Sequence, residues 1–256
     1  EGRVHAAQRQ WPEAEAALKQ SLALNSSFSL SYQLLSSIYL ANTNLAGAAR
    51  ELEDLVAQRT NDVRSLMILA TLYDRMDQPE KARDKYEQLV QAYPQFVPAL
   101  NNLAYVYTER LPRLDRALEL AQKARQLAPE EASVADTLGW ILHKRGDHRQ
   151  ALILLREAAG KNPEAPEIQY HAGMAYYMLG QTDAARTALE RAAASPEPFT
   201  GKAEAQRQLA VLGGQEAVAG ADDLAALEKL VQSQPRDLTA RTRLAAGYET
   251  DRQFAK

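Results

Sequence analysis

Cysteine is absent from all 256 residues, which removes disulfide frameworks, thiol nucleophiles and zinc–thiolate sites and leaves the redox compartment unread. Charge is short of any bias: 30 Lys plus Arg stand against 33 Asp plus Glu, a net charge of -3. A phosphate backbone attracts a basic excess that this chain lacks, so nucleic acid is not an expected partner. No apolar run approaches the roughly 18 residues of a membrane span, and no signal-peptide pattern opens the chain. The four histidines, His5, His143, His148 and His171, never recur at i+3 or i+4, the spacing that a helical metal site uses. Gly-rich phosphate loops, serine elbows and paired-carboxylate motifs are missing as well. The expectation is no catalytic residue, no metal and no cofactor: a protein that is not an enzyme.

What the chain does have is a period. Alanines recur at Ala14, Ala48, Ala82, Ala117, Ala151 and Ala185, with spacings of 34, 34, 35, 34 and 34 residues. Each is followed at i+4 and i+7 by further apolar or small residues, as Ala48 is by Leu52 and Leu55, so the three share one helical stripe. A second helix repeats alongside: Leu69, Ala70 and Tyr73; Leu103, Ala104 and Tyr107; Leu138, Gly139 and Leu142; Ala172, Gly173 and Tyr176. Pro94, Pro129 and Pro163 close successive units, where proline stops a helix. A fixed period of this size marks an all-α solenoid of helix pairs, each able to bury its apolar face only against its neighbours. With 46% hydrophobic and 25% charged residues, composition is that of an ordinary globular protein.

On these residues the chain resembles the tetratricopeptide repeat family. The segment from Ala132 to Pro163 holds the small residue of helix A (Gly139), the small residues of helix B (Ala151 and Ala158) and the closing proline at the family's relative positions. The resemblance covers about 1–197 and again 221–256. It implies a right-handed superhelical solenoid of antiparallel helix pairs acting as a protein-binding scaffold. Two departures stand out. At the position of the aromatic that often opens helix A stand Tyr32, Leu66, Leu100, Ala135 and Gln169, and one extra residue is expected in the turn Arg110-Leu111-Pro112-Arg113.

Helix pairs are expected at 29–58, 63–92, 97–127, 132–160 and 166–194, after a partial pair at 1–24. A capping helix over 200–212 completes an array of residues 1–212. The stretch 213–220 reads as a flexible linker and 221–256 as an additional, truncated pair. That pair would begin a second array, pack back on the first or dock onto another molecule. Both ends fall within a repeat, as in a piece of a longer array. Arg145-Gly146-Asp147 matches an adhesion tripeptide, but its glycine suits a tight turn between helices.

In the resembled family the A helices line a concave groove, faced by the second, fifth, ninth and twelfth positions of each unit. Carried over, the first units present Gln33 and Ser37, then Arg64, Met67, Thr71 and Asp74. The later ones present Asn101, Tyr105 and Thr108; Asp136, Trp140 and His143; and Tyr170, Met174 and Tyr177. The candidate partner-binding set is Asn101, Tyr105, Asp136, Trp140, His143, Tyr170, Met174 and Tyr177, because Tyr and Trp suit a partner that is both packed and hydrogen-bonded. Tyr105 and Trp140 fit core packing equally well, and Tyr107 and Tyr176 have the core phase. No cationic clamp for a partner's C-terminal carboxylate occupies the fifth and ninth positions of the first units.

The phrases Leu100-Asn101-Asn102-Leu103-Ala104-Tyr105, Asp136-Thr137-Leu138-Gly139-Trp140 and Gly201-Lys202-Ala203-Glu204-Ala205 also resemble the C-terminal units of bacterial exosortase- and exopolysaccharide-associated tetratricopeptide lipoproteins. That narrower likeness implies an envelope scaffold, periplasmic or membrane-anchored; without it a cytoplasmic location is expected. A protein or peptide ligand is the leading partner. The alternatives are a homo-oligomer stacked through open repeat ends and a carbohydrate held by aromatic side chains.

Overall fold

The computed structural model describes residues 2–24, 31, 34–35, 38, 44–196, 198–213, 221–233, 235 and 237–250. They form fourteen α-helices and one π-helical turn, with no strand among the described residues. The contacts divide the protein into two units, Glu1–Leu127 and Ala128–Lys256. The first unit holds α1 (Gly2–Ala7), α2 (Trp11–Leu24), α3 (Leu45–Gln58), α4 (Val63–Arg75), α5 (Pro79–Ala92), α6 (Val97–Tyr105) and α7 (Leu114–Leu127). The second holds α8 (Ala132–Lys144), α9 (His148–Lys161), α10 (Pro166–Met178), α11 (Thr182–Ala194), α12 (Lys202–Gly213), α13 (Ala221–Ser233) and α14 (Leu238–Thr250). Consecutive helices pair, as expected of the repeat.

The six register alanines are all fully buried, at 0% exposure. Their helices cross the A helices so closely that a Cβ built on Gly2, Gly139 or Gly173 would lie 2.7 Å from Cγ of Leu18, Leu155 or Leu189 respectively. The same small-to-large fit therefore recurs wherever glycine takes the eighth position.

The turns between paired helices repeat too. Arg9, Asp77, Gly146 and Gly180 have φ of 59, 57, 92 and 71°, each seven residues after the small residue of its A helix. The amide one residue later closes the helix by donating to a carbonyl five residues back: Gln10 to His5 at 2.9 Å, Gln78 to Tyr73 at 2.8 Å, Asp147 to Leu142 at 2.9 Å and Gln181 to Tyr176 at 3.0 Å. This is a Schellman-type end, which needs one left-handed residue. Gly146 of the Arg-Gly-Asp tripeptide is that residue, so its place is explained by the turn.

The 35-residue unit ends differently. Its extra residue, expected in the turn at Arg110–Arg113, is taken up inside the helix, which widens to a π-turn over Val106–Arg110. The amide of Leu111 donates to Val106 at 2.9 Å and that of Arg113 to Tyr107 at 2.8 Å. A π-turn absorbs one residue without losing the i→i−5 bond, so no left-handed residue is required there. On α7, Glu119 pairs with Arg116 at 2.6 Å, not with Lys123 four residues on.

A side-chain ladder joins neighbouring repeats. Tyr73, Tyr107 and Tyr248 donate their hydroxyls to Glu53, Glu87 and Glu228, each twenty residues earlier. Burial first, then the carboxylate acceptor, pushes the Tyr107 hydroxyl up to about 12. In the second unit α12 packs on α11, with Ala205 and Leu212 buried and Arg186 donating to the Leu212 carbonyl at 2.5 Å. Helices α13 and α14 pair, and α14 also reaches α10. Residues 214–220 of the expected linker, and Gln33 and Ser37 of the first inner helix, lie outside the described residues.

Candidate partner-binding face

In the first unit the inner helices α4 and α6 bury their fourth, seventh and eighth positions, Leu66, Leu69 and Ala70, and Leu100, Leu103 and Ala104. The fifth, ninth and twelfth positions remain open: Met67, Thr71, Asp74, Asn101 and Tyr105 are half-buried, and Arg64 at the second position is exposed. Thr108 alone is buried, its hydroxyl donating to the Ala104 carbonyl at 2.7 Å.

A polar chain stiffens this face. Asn102 Nδ2 donates to the Tyr86 hydroxyl at 3.2 Å; the Tyr86 and Thr71 hydroxyls lie 3.2 Å apart, and Thr71 donates to the Met67 carbonyl at 3.0 Å. Since Thr71 spends its hydrogen on Met67, Tyr86 donates to Thr71. Burial raises the pKa of the Tyr86 hydroxyl, so it stays a donor. Asp74 faces Arg110 Nε at 3.4 Å. Burial raises its carboxyl pKa, and the guanidinium partly offsets that.

In the second unit the same positions are closed. Asp136, Trp140, His143, Tyr170 and Met174 are 5 to 9% exposed and Tyr177 is 0% exposed. Trp140 is sandwiched between two imidazoles, with centroid distances of 4.8 Å to His143 at an interplanar angle of 6° and 4.1 Å to His171 at 17°. Tyr170 tilts against it at 5.5 Å, and Lys144 Nζ lies 4.9 Å from its ring centroid, within cation–π range. His171 Nδ1 lies 2.9 and 3.0 Å from the two carboxylate oxygens of Asp136. Because that carboxylate accepts, Nδ1 carries the hydrogen.

At the other end of the stack, Nδ1 of His143 and His148 are 3.2 Å apart. This contact needs one nitrogen to donate and the other to accept, which two imidazolium ions cannot do. Burial, followed by the fields of His148, His171 and Lys144, lowers the pKa of His143 to about 3. Tyr170 is covered by Phe199, 6.0 Å away between ring centroids, and by Gly201. Gly201 has φ 102°, and a Cβ there would lie 2.4 Å from Cε1 of Tyr170, so glycine is required twice over.

The structure thus brings together six of the expected residues, Asp136, Trp140, His143, Tyr170, Met174 and Tyr177, in and around one packed cluster. Asn101 and Tyr105 belong to the separately described first unit. His148 and His171 join the cluster without any signal in their spacing, which follows no simple helical interval. Only laying the repeats over one another places His171 beside Asp136 and Trp140. Among the described residues, no group of three or more His, Asp or Glu side chains is arranged to hold a metal ion, and no helix is long and apolar enough to cross a membrane.

Comparison with known proteins agrees with this architecture. A Tetratricopeptide repeat family model matches residues 1–64, 68–132 and 137–198. A TPR repeat-containing protein of Pseudomonas aeruginosa is 24% identical over 162 residues, 63% of this chain and 27% of that protein. The chain spans about a quarter of the length of the curated relatives it matches. A tetratricopeptide repeat protein from Parabacteroides merdae superposes with a TM-score of 0.66 at 18% identity, over 100% of this chain and 91% of that one. YrrB, described as a TPR protein with an unusual peptide-binding site, superposes with a TM-score of 0.54 at 17% identity, over 75% and 98%. With its register alanines, repeated glycine–leucine crossings and left-handed turns all accounted for, the chain belongs to the tetratricopeptide repeat family.

Proposed function

We propose that this protein is a non-catalytic scaffold that holds a peptide or helix of a partner protein along the inner-helix face. The observation that carries this reading is the amphipathic division of α4 and α6. Positions four, seven and eight are buried, whereas Arg64 is exposed and Met67, Thr71, Asp74, Asn101 and Tyr105 are only half-buried on one side. Such a mixture of soft apolar and hydrogen-bonding groups on a pre-organised surface suits a peptide backbone with intervening side chains. In the second unit Asp136, Trp140, His143, Tyr170, Met174 and Tyr177 are buried, so their part is that of a rigid floor. YrrB offers a precedent for peptide binding within this fold. A narrower proposal, a place in a bacterial envelope or exopolysaccharide-export assembly, rests on the three sequence phrases given above.

The test is a peptide selected from a random library on the full-length protein, with affinity measured for Asn101→Ala and Tyr105→Ala. A loss of tenfold or more in the double variant, with the helical signal unchanged, is expected. Unchanged affinity in that variant would place the ligand elsewhere and overturn the reading.

A further inference from the structure

A cavity of about 380 Å³ lies between α9, α10 and α11. It exists because this unit is underfilled. The fourth position, Leu66 in α4 and Leu100 in α6, is Gln169 in α10, and the seventh, Leu69, Leu103 and Leu138 in earlier units, is Ala172. Ala159, Gly160, Ala184 and Ala188 add further small walls. Arg156 from α9 and Arg191 from α11 border it, as does Tyr176 of α10. Neither arginine has an ion pair or hydrogen bond among the described residues, and both are exposed.

The repeat itself says what is missing. Tyr73, Tyr107 and Tyr248 each donate to a glutamate twenty residues earlier. The residue twenty before Tyr176 is Arg156. The ladder is broken here by a reversal of charge, so a tyrosine that elsewhere meets a carboxylate borders an open cavity beside two cations.

We propose that this cavity is a carboxylate-binding site that takes an acidic group of a partner polypeptide, supplied by a Glu or Asp side chain or by the partner's own C-terminus. Arginine binds a carboxylate with directed, charge-assisted hydrogen bonds, which Arg156 and Arg191 would supply, and Ala172 and Ala188 receive the aliphatic stem. The site faces the outer helices α9 and α11 and is independent of the inner-helix face, so each can fail without the other.

The experiment is amide-resolved NMR titration of the full-length protein with four probes. These are N-acetyl-glutamate methylamide, its glutamine counterpart, N-acetylglycine and inorganic phosphate. Saturable shifts around Arg156, Ala172, Tyr176 and Arg191 are expected with the two acids, at least fivefold weaker with the glutamine probe and with phosphate. The tighter of the two acids names the source of the carboxylate. Arg156→Glu restores the acceptor that three other units carry and should keep the helical signal while weakening binding tenfold or more. Arg191→Gln, on an exposed face, should weaken it at least threefold. Equal binding of the glutamine probe, equal binding of phosphate, or unaltered binding by both variants would overturn the proposal.

Discussion

The inner helices α4 and α8 carry the same repeat positions but present them differently. In α4 the fifth, ninth and twelfth residues, Met67, Thr71 and Asp74, are half-buried; in α8 the run from Val134 to His143 is buried on every side. Residue type accounts for the difference. Thr71 and Asp74 find their partners within the first unit, Thr71 in a hydrogen bond with Tyr86 and Asp74 in an ion pair with Arg110. Asp136 and Trp140 instead meet His171 and Tyr170 from the next inner helix, His143 stacks on Trp140, and the stacked rings shut the face. Equivalent positions in one solenoid can therefore form an open surface or a packed support, according to whether the side chains meet partners from the next helix.

The strongest way to break this contrast is Trp140→Ala set against Tyr105→Ala. Removing a large buried ring from the centre of the stack should cost about 3–5 kcal/mol, whereas trimming the half-buried Tyr105 should cost about 1 kcal/mol. Urea unfolding with hydrogen exchange read separately in the two units measures both. Similar losses would mean that the two faces are equally packed.

Acid sharpens the same comparison. His143 is held neutral with a pKa of about 3 against the usual 6.5, so below pH 6.5 the unfolded protein binds a proton that the folded one refuses. Stability then falls as pH drops from 6.5 towards 3. By pH 4.5 this residue alone should account for about 2–3 kcal/mol. His143→Phe keeps a ring against Trp140 and removes the titration, so its stability relative to the parent should rise by that amount between pH 7 and 4.5. A constant difference across that range would exclude the buried neutral imidazole.

The smallest effect tests the crossings. Gly139→Ala places a methyl 2.7 Å from Leu155 Cγ and should cost about 1–2 kcal/mol. Gly160→Ala meets nothing within 4 Å and should stabilise α9 by up to about 1 kcal/mol. Thermal melting of the two variants should move in opposite directions.

Much of the fold was legible in the amino-acid order because a repeat writes its contacts locally. Ala151 follows Gly139 by one hairpin, and the left-handed Gly146 lies between them, so a single 34-residue period holds the crossing, the turn and the small residues that both demand. The extra residue before Ala117 was legible as well, but not its fate. Whether it loops out at Leu111 or widens the helix to a π-turn depends on which backbone bonds Val106 and Tyr107 can keep. The candidate face was legible as a set of positions, and its openness was not. Tyr176 has the phase of a core residue, yet it lines a cavity because Ala172 and Gln169 leave room beside it.

The sequence by itself determined the period, the helix pairs, the six buried alanines and the absence of thiol chemistry. These follow from residue size and spacing along the polypeptide. Only the tertiary structure decided that His143 and His171 stack on Trp140 with His148 against His143, that Tyr170 is closed over by Phe199 and Gly201, and that Arg156 borders a cavity where a glutamate stands in three other repeats. Each of those depends on side chains from different helices meeting in space, where packing and desolvation, not spacing, choose the partner.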